Sequence, residues 1–450
     1  MKKKILMLTG LLIILKFFIF AEENIKREQA EIFEKVLTLK EAIDLAINNN
    51  PEISIARHEQ MAVKNKEKQA QATLMPRIAF SADYTNYKDS QRLIQARYNG
   101  EPGVFSHDII SAGITGQIPV FDRGRIKNDM LSFRDLSESA RYRFERIKQE
   151  VCVSAASVFY SILAQQNYIE SLRFSLKTMQ EHLKRTKKLI EAQKAARVDA
   201  LRVEVRVADI QERLVREENK LVILYQTLCR LIGLKDVREK LKLQGQLEKE
   251  IADLPKIEDM ISKALKQRPD YQSIAMELES QEKRVRSVKS ELSPTINLQA
   301  VYGYKWAINP ISDSRGENQQ DNASIRLTID LPVFDGGRIR ARIREEEEKL
   351  AVINERLRKL ELQINLEVQS AISNIISSRE RLITMEKIIE QARESLKIER
   401  QKYDMEKGTI IDVLDAQSAL LEAETGYFRA LVDFNISRLQ LYLATGENVL

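Results

Sequence analysis

Cysteine, histidine, glycine and proline are all scarce in this chain of 450 residues, which has 2 Cys, 3 His, 15 Gly and 9 Pro. So few cysteines exclude a disulfide-rich scaffold, and the three scattered histidines have no metal-ligand spacing. The sequence also lacks a glycine-rich phosphate loop and a nucleophile with a paired base. We therefore predict no catalytic site, no metal site and no cofactor.

The two cysteines, Cys152 and Cys229, both fall in helical patterns. In the helical hairpin predicted below, whose tip lies near Ala196, they stand 44 and 33 residues from the tip. That difference corresponds to about 16 Å of helix, which is beyond disulfide reach. We expect both to be small buried side chains.

The N-terminal segment has the pattern of a secretory signal peptide. Lysines at positions 2–4 precede an apolar stretch, residues 5–20, that only Lys16 interrupts, and Ala21 offers a small residue for cleavage. We predict that residues 1–21 are removed on export; an N-terminal anchor is the alternative, although the stretch is short for a spanning helix. Removal lowers the formal charge from +6 to +2, so no nucleic-acid partner is expected.

The rest of the chain contains an internal duplication. Pro51 and Pro76 recur as Pro269 and Pro294, 218 positions later. The Pro-Val-Phe-Asp segment at 119–122 recurs at 332–335, 213 positions later. The halves are thus collinear except for one loop that is longer in the first. We predict two structural repeats, residues 22–233 and 255–450, joined by a linker at 234–254.

Within each repeat the apolar pattern changes period. Apolar and polar residues alternate over about ten residues at 78–87, 109–118, 296–306 and 323–333, which is the length and pattern of a transmembrane β-strand. Five aromatic residues fit an interfacial girdle: Tyr84, Tyr87, Tyr302, Tyr304 and Trp306. Two half-buried hairpins of a soluble sandwich are the alternative, but we expect no other β structure to complete one.

Long helices follow the strands. Residues 125–193 and 338–407 contain no Pro or Gly, and apolar residues such as Leu350, Ile353 and Leu357 are spaced as in a coiled coil. We predict long helical hairpins at about 123–233 and 336–446, preceded by shorter helices before the strands. Each repeat thus reads helix, helix, strand, strand, long helix, helix.

Four strands cannot form a closed transmembrane barrel, because the smallest barrels have eight. Open edges cannot face lipid either, since their backbone groups would have no hydrogen-bond partner. Two copies of the chain would supply eight strands with a filled interior, and three would supply twelve around a wide lumen. The helices favour three copies, because only twelve helical columns leave a broad bore.

Several segments resemble the TolC family of outer-membrane efflux channels. They are Glu41-Ala42, Asn50-Pro51, the doubled Pro-Val-Phe-Asp and the stretch Asp412-Val413-Leu414-Asp415-Ala416-Gln417 with Leu420. The resemblance covers essentially the whole mature chain. It implies a mixed α and β membrane protein and homotrimer, with a twelve-strand barrel in outer-membrane lipid and an α-helical coiled-coil barrel in the periplasm. The implied function is the passive exit duct of a tripartite efflux pump or type I secretion system.

The resemblance also implies partners and site residues. The partners are a periplasmic adaptor (membrane fusion) protein and an inner-membrane pump. Asp412 and Asp415 match an acidic ring at the narrowest point, although Asp412 also fits a simple helix-start acid. Tyr403 and Asp199 match a lock of the closed aperture. The candidate adaptor-docking tip is Lys194, Ala195, Ala196, Lys407, Gly408 and Thr409.

The doubled Pro-Val-Phe-Asp segments predict a barrel-to-tube junction, because proline ends a strand ladder and glycine allows a sharp turn before the long helix. An ordinary strand-to-helix loop is the alternative, but the recurrence of the segment at equivalent positions favours a shared corner. The junction residues are Pro119, Pro332, Gly124, Gly336 and Gly337.

Two other classes of protein remain as alternatives. A soluble periplasmic coiled-coil adaptor or scaffold explains the long helices but not the four alternating strands. A structural filament predicts uninterrupted heptads and fails at the same strands.

Overall fold

A computed structural model describes residues 36–93, 96, 98–100, 103–193, 196–234, 242–247, 249, 256–311, 319–405 and 407–447. The predicted signal peptide, residues 1–21, lies outside the described residues, as do Lys194 and Ala195 of the candidate docking tip.

Each half of the described chain has the predicted order of elements. The first half contains β1 (Val36–Leu37), α1 (Leu39–Asn49), α2 (Pro51–Ala72), β2 (Arg77–Arg92), β3 (Phe105–Phe121), α3 (Arg125–Glu191) and α4 (Arg197–Leu231). The second contains β4 (Lys242–Leu243), α5 (Ile257–Gln267), α6 (Pro269–Lys289), a 3-10 turn (Ser290–Leu292), β5 (Thr295–Ala307), β6 (Gln319–Asp330), α7 (Arg338–Asp404) and α8 (Ile410–Thr445).

The duplication is confirmed in the lengths of the helices. Helices α3 and α7 each have 67 residues, and α7 begins 213 positions after α3. Helices α1 and α5 each have 11 residues and begin 218 positions apart. Both offsets found in the sequence therefore hold at the level of whole elements.

The strands form one antiparallel sheet in the order β2-β3-β5-β6, which leaves β2 and β6 at its edges. The two hairpins have the same register: Phe80 lies opposite Ile114, and Leu298 lies opposite Leu327. Adding 218 to Phe80 and 213 to Ile114 gives Leu298 and Leu327, so the two offsets convert one hairpin into the other.

A second, very small sheet was not expected. Strand β1 pairs in parallel with β4, with Val36 opposite Lys242 and Leu37 opposite Leu243. The expectation of no further β structure is therefore wrong. Strands of two residues are too short to show an alternating pattern, so the sequence pattern could not predict them.

The chain forms two compact units. The strand unit consists of His58–Arg143 and Asp270–Leu360 and contains the four-stranded sheet. The helical unit consists of the described parts of Met1–Arg57, Phe144–Pro269 and Glu361–Leu450. Its largest core packs α3 residues such as Phe159 and Ile162 with Ile43, Leu228 and Leu439.

Both cysteines are buried and free, as the helical pattern predicted. No helix among the described residues is long and apolar enough to span a membrane.

Candidate functional site

The start of helix α8 is closed by a capping box. The Thr409 hydroxyl accepts a hydrogen bond from the Asp412 backbone N–H at 3.3 Å, and the Asp412 carboxylate accepts from the Thr409 N–H at 3.0 Å and from its hydroxyl at 2.7 Å. These hydrogen bonds hold the pKa of Asp412 below its usual value. Asp412 therefore acts as the helix-start acid that its position allowed.

Asp415 is left free on the same side of α8. It is exposed, whereas Val413, Ala416 and Gln417 beside it are buried. Within the described residues its carboxylate has no ion pair or hydrogen bond. Of the two predicted ring residues, Asp415 thus has the carboxylate that is free to meet a solute.

The matching turn of the first repeat has a weaker cap. The Ala196 N–H donates to the Asp199 carboxylate at 3.3 Å, but alanine has no hydroxyl with which to complete the box. The position equivalent to Asp415 is Arg202, whose guanidinium lies 3.7 Å from Asp199. The two repeats therefore present opposite charges at equivalent positions.

The two predicted lock residues are not joined in this conformation. Asp199 serves the cap just described, and Tyr403 packs against the apolar cluster that contains Val203, Ile410 and Val413. Among the described residues, Tyr403 and Asp199 share no hydrogen bond.

Polar contacts that the sequence did not suggest tie the two helical hairpins together. Arg185 of α3 lies 2.8 Å from Asp404 of α7. The Gln417 side chain of α8 donates to the Ser175 hydroxyl of α3 at 3.4 Å. Partners more than 200 residues apart leave no local pattern, which is why reading the sequence missed them.

A groove of about 500 Å³ lies beside the Arg185–Asp404 pair, lined in part by His182, Arg400 and Tyr403. Burial, together with the positive charges of Arg400 and Arg185, lowers the pKa of His182 from its ordinary value. The groove therefore favours the neutral imidazole.

The turn between α7 and α8 folds back on the end of α7. The Lys407 N–H donates to the Lys402 carbonyl at 2.9 Å. A Cβ added at Gly408 would lie 3.1 Å from the Lys402 Cβ, so this turn has little room for a side chain. In the first repeat, Gln193 takes a left-handed conformation with φ of 60°. Ala196, Lys407 and Thr409 are exposed.

The junctions between strands and long helices are built around an aspartate. Asp122 accepts hydrogen bonds from the backbone N–H groups of Gly124 at 2.9 Å and Ile126 at 2.7 Å, and Asp335 accepts from those of Gly337 and Ile339 at the same two distances. The sequence motif contained these aspartates, but their capping role was not predicted.

The glycines and prolines of the junctions behave differently in the two repeats. Gly124, Gly336 and Gly337 have φ of 78°, 68° and 89°, as a sharp turn requires. Pro332 follows the end of β6. Strand β3, however, continues through Pro119 to Phe121, and its pairing with β5 shifts register there. Pro119 therefore marks a bulge rather than the end of the ladder.

Comparison with known proteins gives a consistent result. Residues 42–234 and 260–447 match the sequence pattern of the family described as outer membrane efflux protein. The outer membrane protein TolC of Vibrio cholerae is 21% identical over 414 residues, which is 91% of this chain and 90% of the relative. The alkaline protease secretion protein AprF of Pseudomonas aeruginosa is 20% identical over 412 residues, 90% of this chain and 84% of the relative. The solved structure of the outer membrane protein VceC from Vibrio cholerae superposes with a TM-score of 0.76 at 17% identity, covering 91% of this chain and 96% of that one.

Proposed function

We propose that three copies of this chain assemble to form an outer-membrane exit duct. The chain belongs to the outer membrane efflux protein family and is such a duct rather than an enzyme. The barrel would stand in the outer membrane and the long helices would extend into the periplasm. A periplasmic adaptor would connect the inner end to an inner-membrane pump.

The exposed apolar face of the sheet carries the proposal. Ile78 and Phe80 of β2 are 74% and 72% exposed, and Ile325 of β6 is 81% exposed. Such a contiguous apolar face is costly in water and favourable in lipid. Both β2 and β6 also have one unpaired edge within the described sheet. Pairing β6 of each copy with β2 of the next would satisfy these edges and give twelve strands.

Membrane fractionation tests this proposal against the soluble-adaptor alternative. The full chain, expressed with its N-terminal segment in a Gram-negative host, should float with outer membranes. On an unheated detergent gel it should migrate as three chains, and after boiling as one. Recovery as a soluble periplasmic monomer would contradict the proposal and favour the adaptor.

The acids of α8 supply the proposed aperture. In a trimer, Asp412 and Asp415 would place six carboxylates around one constriction, which favours cations over anions. Asp415 is the stronger contributor, because its carboxylate is free whereas that of Asp412 caps α8. In the same closed aperture, Tyr403 and Asp199 would hold neighbouring hairpins together. The junctions at Pro119, Gly124, Pro332, Gly336 and Gly337 would mark the corner between barrel and helices.

The turns at the inner end supply the proposed docking surface for a periplasmic adaptor. Its residues are Lys194, Ala195, Ala196, Lys407, Gly408 and Thr409. A photo-cross-linker at Ala196 or Lys407 should capture the adaptor in cells, because both side chains are exposed. Thr409 is a poorer position, since its hydroxyl caps α8.

Arg358 offers a matched control for this cross-linking, because it is an exposed residue of α7 far along the helix from the turn. A cross-linker there should capture no adaptor. Equal capture at Arg358 and at the turns, or no capture at the turns, would contradict the docking surface.

A further inference from the structure

The internal repeat specifies how neighbouring copies of the chain meet. Within one chain, the first repeat packs against the second in a fixed register. We propose that the second repeat of one protomer packs against the first repeat of the next protomer in the same register. This inference rests on the proposed oligomer and adds the residue pairs of its seam. Adding 213 to positions of β3 and α3 converts each internal pair into a pair between protomers when 218 is subtracted from positions of β5 and α6, or 213 from positions of α8.

The sheet supplies the first template. Within the chain, β3 pairs with β5 so that Ile114, Gly116 and Ile118 lie opposite Tyr302, Ala300 and Leu298. Conversion gives the pairing of β6 with the β2 of a neighbouring protomer. The resulting pairs are Leu327 with Tyr84, Ile329 with Ala82 and Leu331 with Phe80.

The converted register brings like chemistry together on both faces of the sheet. The pairs above are apolar, and the alternate positions pair Arg326 with Thr85, Thr328 with Asp83 and Asp330 with Ser81. Because successive side chains point to opposite faces, a slip of one residue would set apolar side chains against polar ones throughout the seam. The chemistry of the two edge strands thus excludes slips by an odd number of residues independently of the repeat, and the repeat specifies which of the remaining registers forms.

Helices of the strand unit supply a second template. Within the chain, Arg143 of α3 forms an ion pair with Glu277 of α6. Conversion gives Arg356 of α7 and Glu59 of α2 in the neighbouring protomer, which again have opposite charges. Both are exposed, and neither has an ion pair within the described residues. The side chains needed for the seam are therefore present and free.

The other polar pairs of this template have diverged. The hydroxyl pair Ser132–Ser280, at 2.8 Å, converts to Glu345 and Ala62. The ion pair of Asp129 with Arg284, at 2.6 Å, converts to Arg342 and Lys66, but Arg342 is held by Glu291 at 2.7 Å in its own chain. The Arg356–Glu59 pair is thus the charge complementarity that the duplication has preserved.

The helical unit supplies a third template. Gln149 of α3 donates to the Gly446 carbonyl at the end of α8 at 3.1 Å, and Val153, one turn further on, is only 7% exposed. The equivalent residues of α7 are Leu362 and Leu366, which are 66% and 65% exposed. Conversion places Leu362 beside Gly233 at the end of α4 in the neighbouring protomer. The seam would therefore cover two leucines that a single chain leaves in water.

Cysteine cross-linking tests the strand register. In a chain with Cys152→Ala and Cys229→Ala, the pair Asp83→Cys with Thr328→Cys should form a disulfide between protomers, because side chains opposite each other in antiparallel strands have Cβ atoms about 5 Å apart. A boiled, non-reducing gel should then show linked dimers and trimers. Either single variant should show none.

The pair Asp83→Cys with Leu327→Cys is the matched control, because its side chains would lie on opposite faces of the sheet. Equal cross-linking of this control, or no cross-linking of Asp83→Cys with Thr328→Cys in an oligomer that still forms, would overturn the register but leave the oligomer standing. Failure of the unmodified chain to form an oligomer would instead overturn the proposed function.

Charge exchange tests the helical pair. Arg356→Glu or Glu59→Arg alone should lower the temperature at which the detergent-solubilised oligomer dissociates, because each brings like charges together. The double variant should restore it. Arg358→Glu, which loses only the contact with Glu355 on its own helix at 3.6 Å, is the control. Effects of the two single variants that simply add in the double variant would contradict the pair.

Discussion

Arg268 is a fully buried arginine, 1% exposed, that connects three elements of the helical unit. It donates to Glu367 at 2.5 Å and to the Ala444 carbonyl at 3.2 Å. At the equivalent place in the first repeat, Asn50 donates to the Leu231 carbonyl at 2.8 Å. The same backbone contact is thus made by a neutral amide in one repeat and by a paired charge in the other.

Arg268→Ala should destabilise the protein by about 3 kcal/mol, because Glu367 would lose its only charged partner among the described residues in a partly buried position and keep only the hydrogen bond from Gln363. Arg268→Asn should cost less, since it reproduces the amide of the first repeat. Urea denaturation followed by circular dichroism measures both. Equal losses for the two variants would mean that the charge pair contributes little.

Gln193 carries backbone strain at the turn that follows α3, because a non-glycine residue with φ of 60° is unfavourable. Gln193→Gly should raise stability by up to about 1 kcal/mol, since the left-handed conformation costs glycine nothing. The thermal midpoint of the purified protein measures the change. A lower midpoint would show that the glutamine side chain stabilises this turn by more than the strain costs.

His182 should make the stability of the helical unit sensitive to acid. Because burial, Arg400 and Arg185 lower its pKa, with Asp404 and Glu181 opposing them, the folded protein binds this proton less readily than the unfolded chain. Its contribution to stability is therefore complete above the ordinary histidine pKa of about 6.5 and is lost as pH falls below it. His182→Gln should flatten the dependence of the thermal midpoint on pH between about 5 and 7; an unchanged slope would contradict this.

At the scale of single residues, the sequence predicted few of the contacts between side chains. The role of Asp412 at the start of a helix could be predicted, because a threonine three residues before an acid is a local pattern. The Arg185–Asp404 and Arg268–Glu367 pairs were not, because each joins residues far apart in the chain. Local patterns reveal caps and turns, whereas pairs across helices require the packing to be known.

At the scale of elements, the sequence predicted the kind and order of the large helices and strands, and their ends less well. Strand β2 runs to Arg92 because regular pairing with β3 resumes beyond a bulge after Asn86. Strand β3 likewise passes through Pro119 at a bulge. Bulges depend on how two strands pair, so neither extension could be read from one strand alone.

Two glycines with similar positive φ, one at the end of α4 and one before α7, offer a matched test of element packing. A Cβ at Gly233 would lie 2.3 Å from the Asn49 carbonyl oxygen at the end of α1, whereas a Cβ at Gly336 would meet nothing within 4 Å. Both have positive φ, 72° and 68°. Gly336→Ala should cost about 1 kcal/mol for conformation alone, and Gly233→Ala clearly more, measured by urea denaturation. Equal costs would show that α1 can move away from the end of α4.

At the scale of the whole molecule, the duplication was the most informative feature of the sequence. Its two offsets predicted which elements are equivalent, and the registers of both hairpins agree with them. The number of copies that we propose for the assembly follows from closing the sheet rather than from any one residue. The symmetry of the proposed aperture, in contrast, depends on single residues, because Asp415 and Arg202 occupy equivalent positions.

Ion selectivity in planar bilayers tests the central claim, a duct with an acidic inner end, most directly. The purified oligomer should give discrete conductance steps, and its reversal potential in a KCl gradient should indicate preference for K⁺. Asp415→Asn should weaken that preference, and Asp433→Asn, whose carboxylate is paired with Arg381 at 3.0 Å, should not. An oligomer that inserts but prefers Cl⁻, or one whose selectivity is the same with and without Asp415, would contradict it.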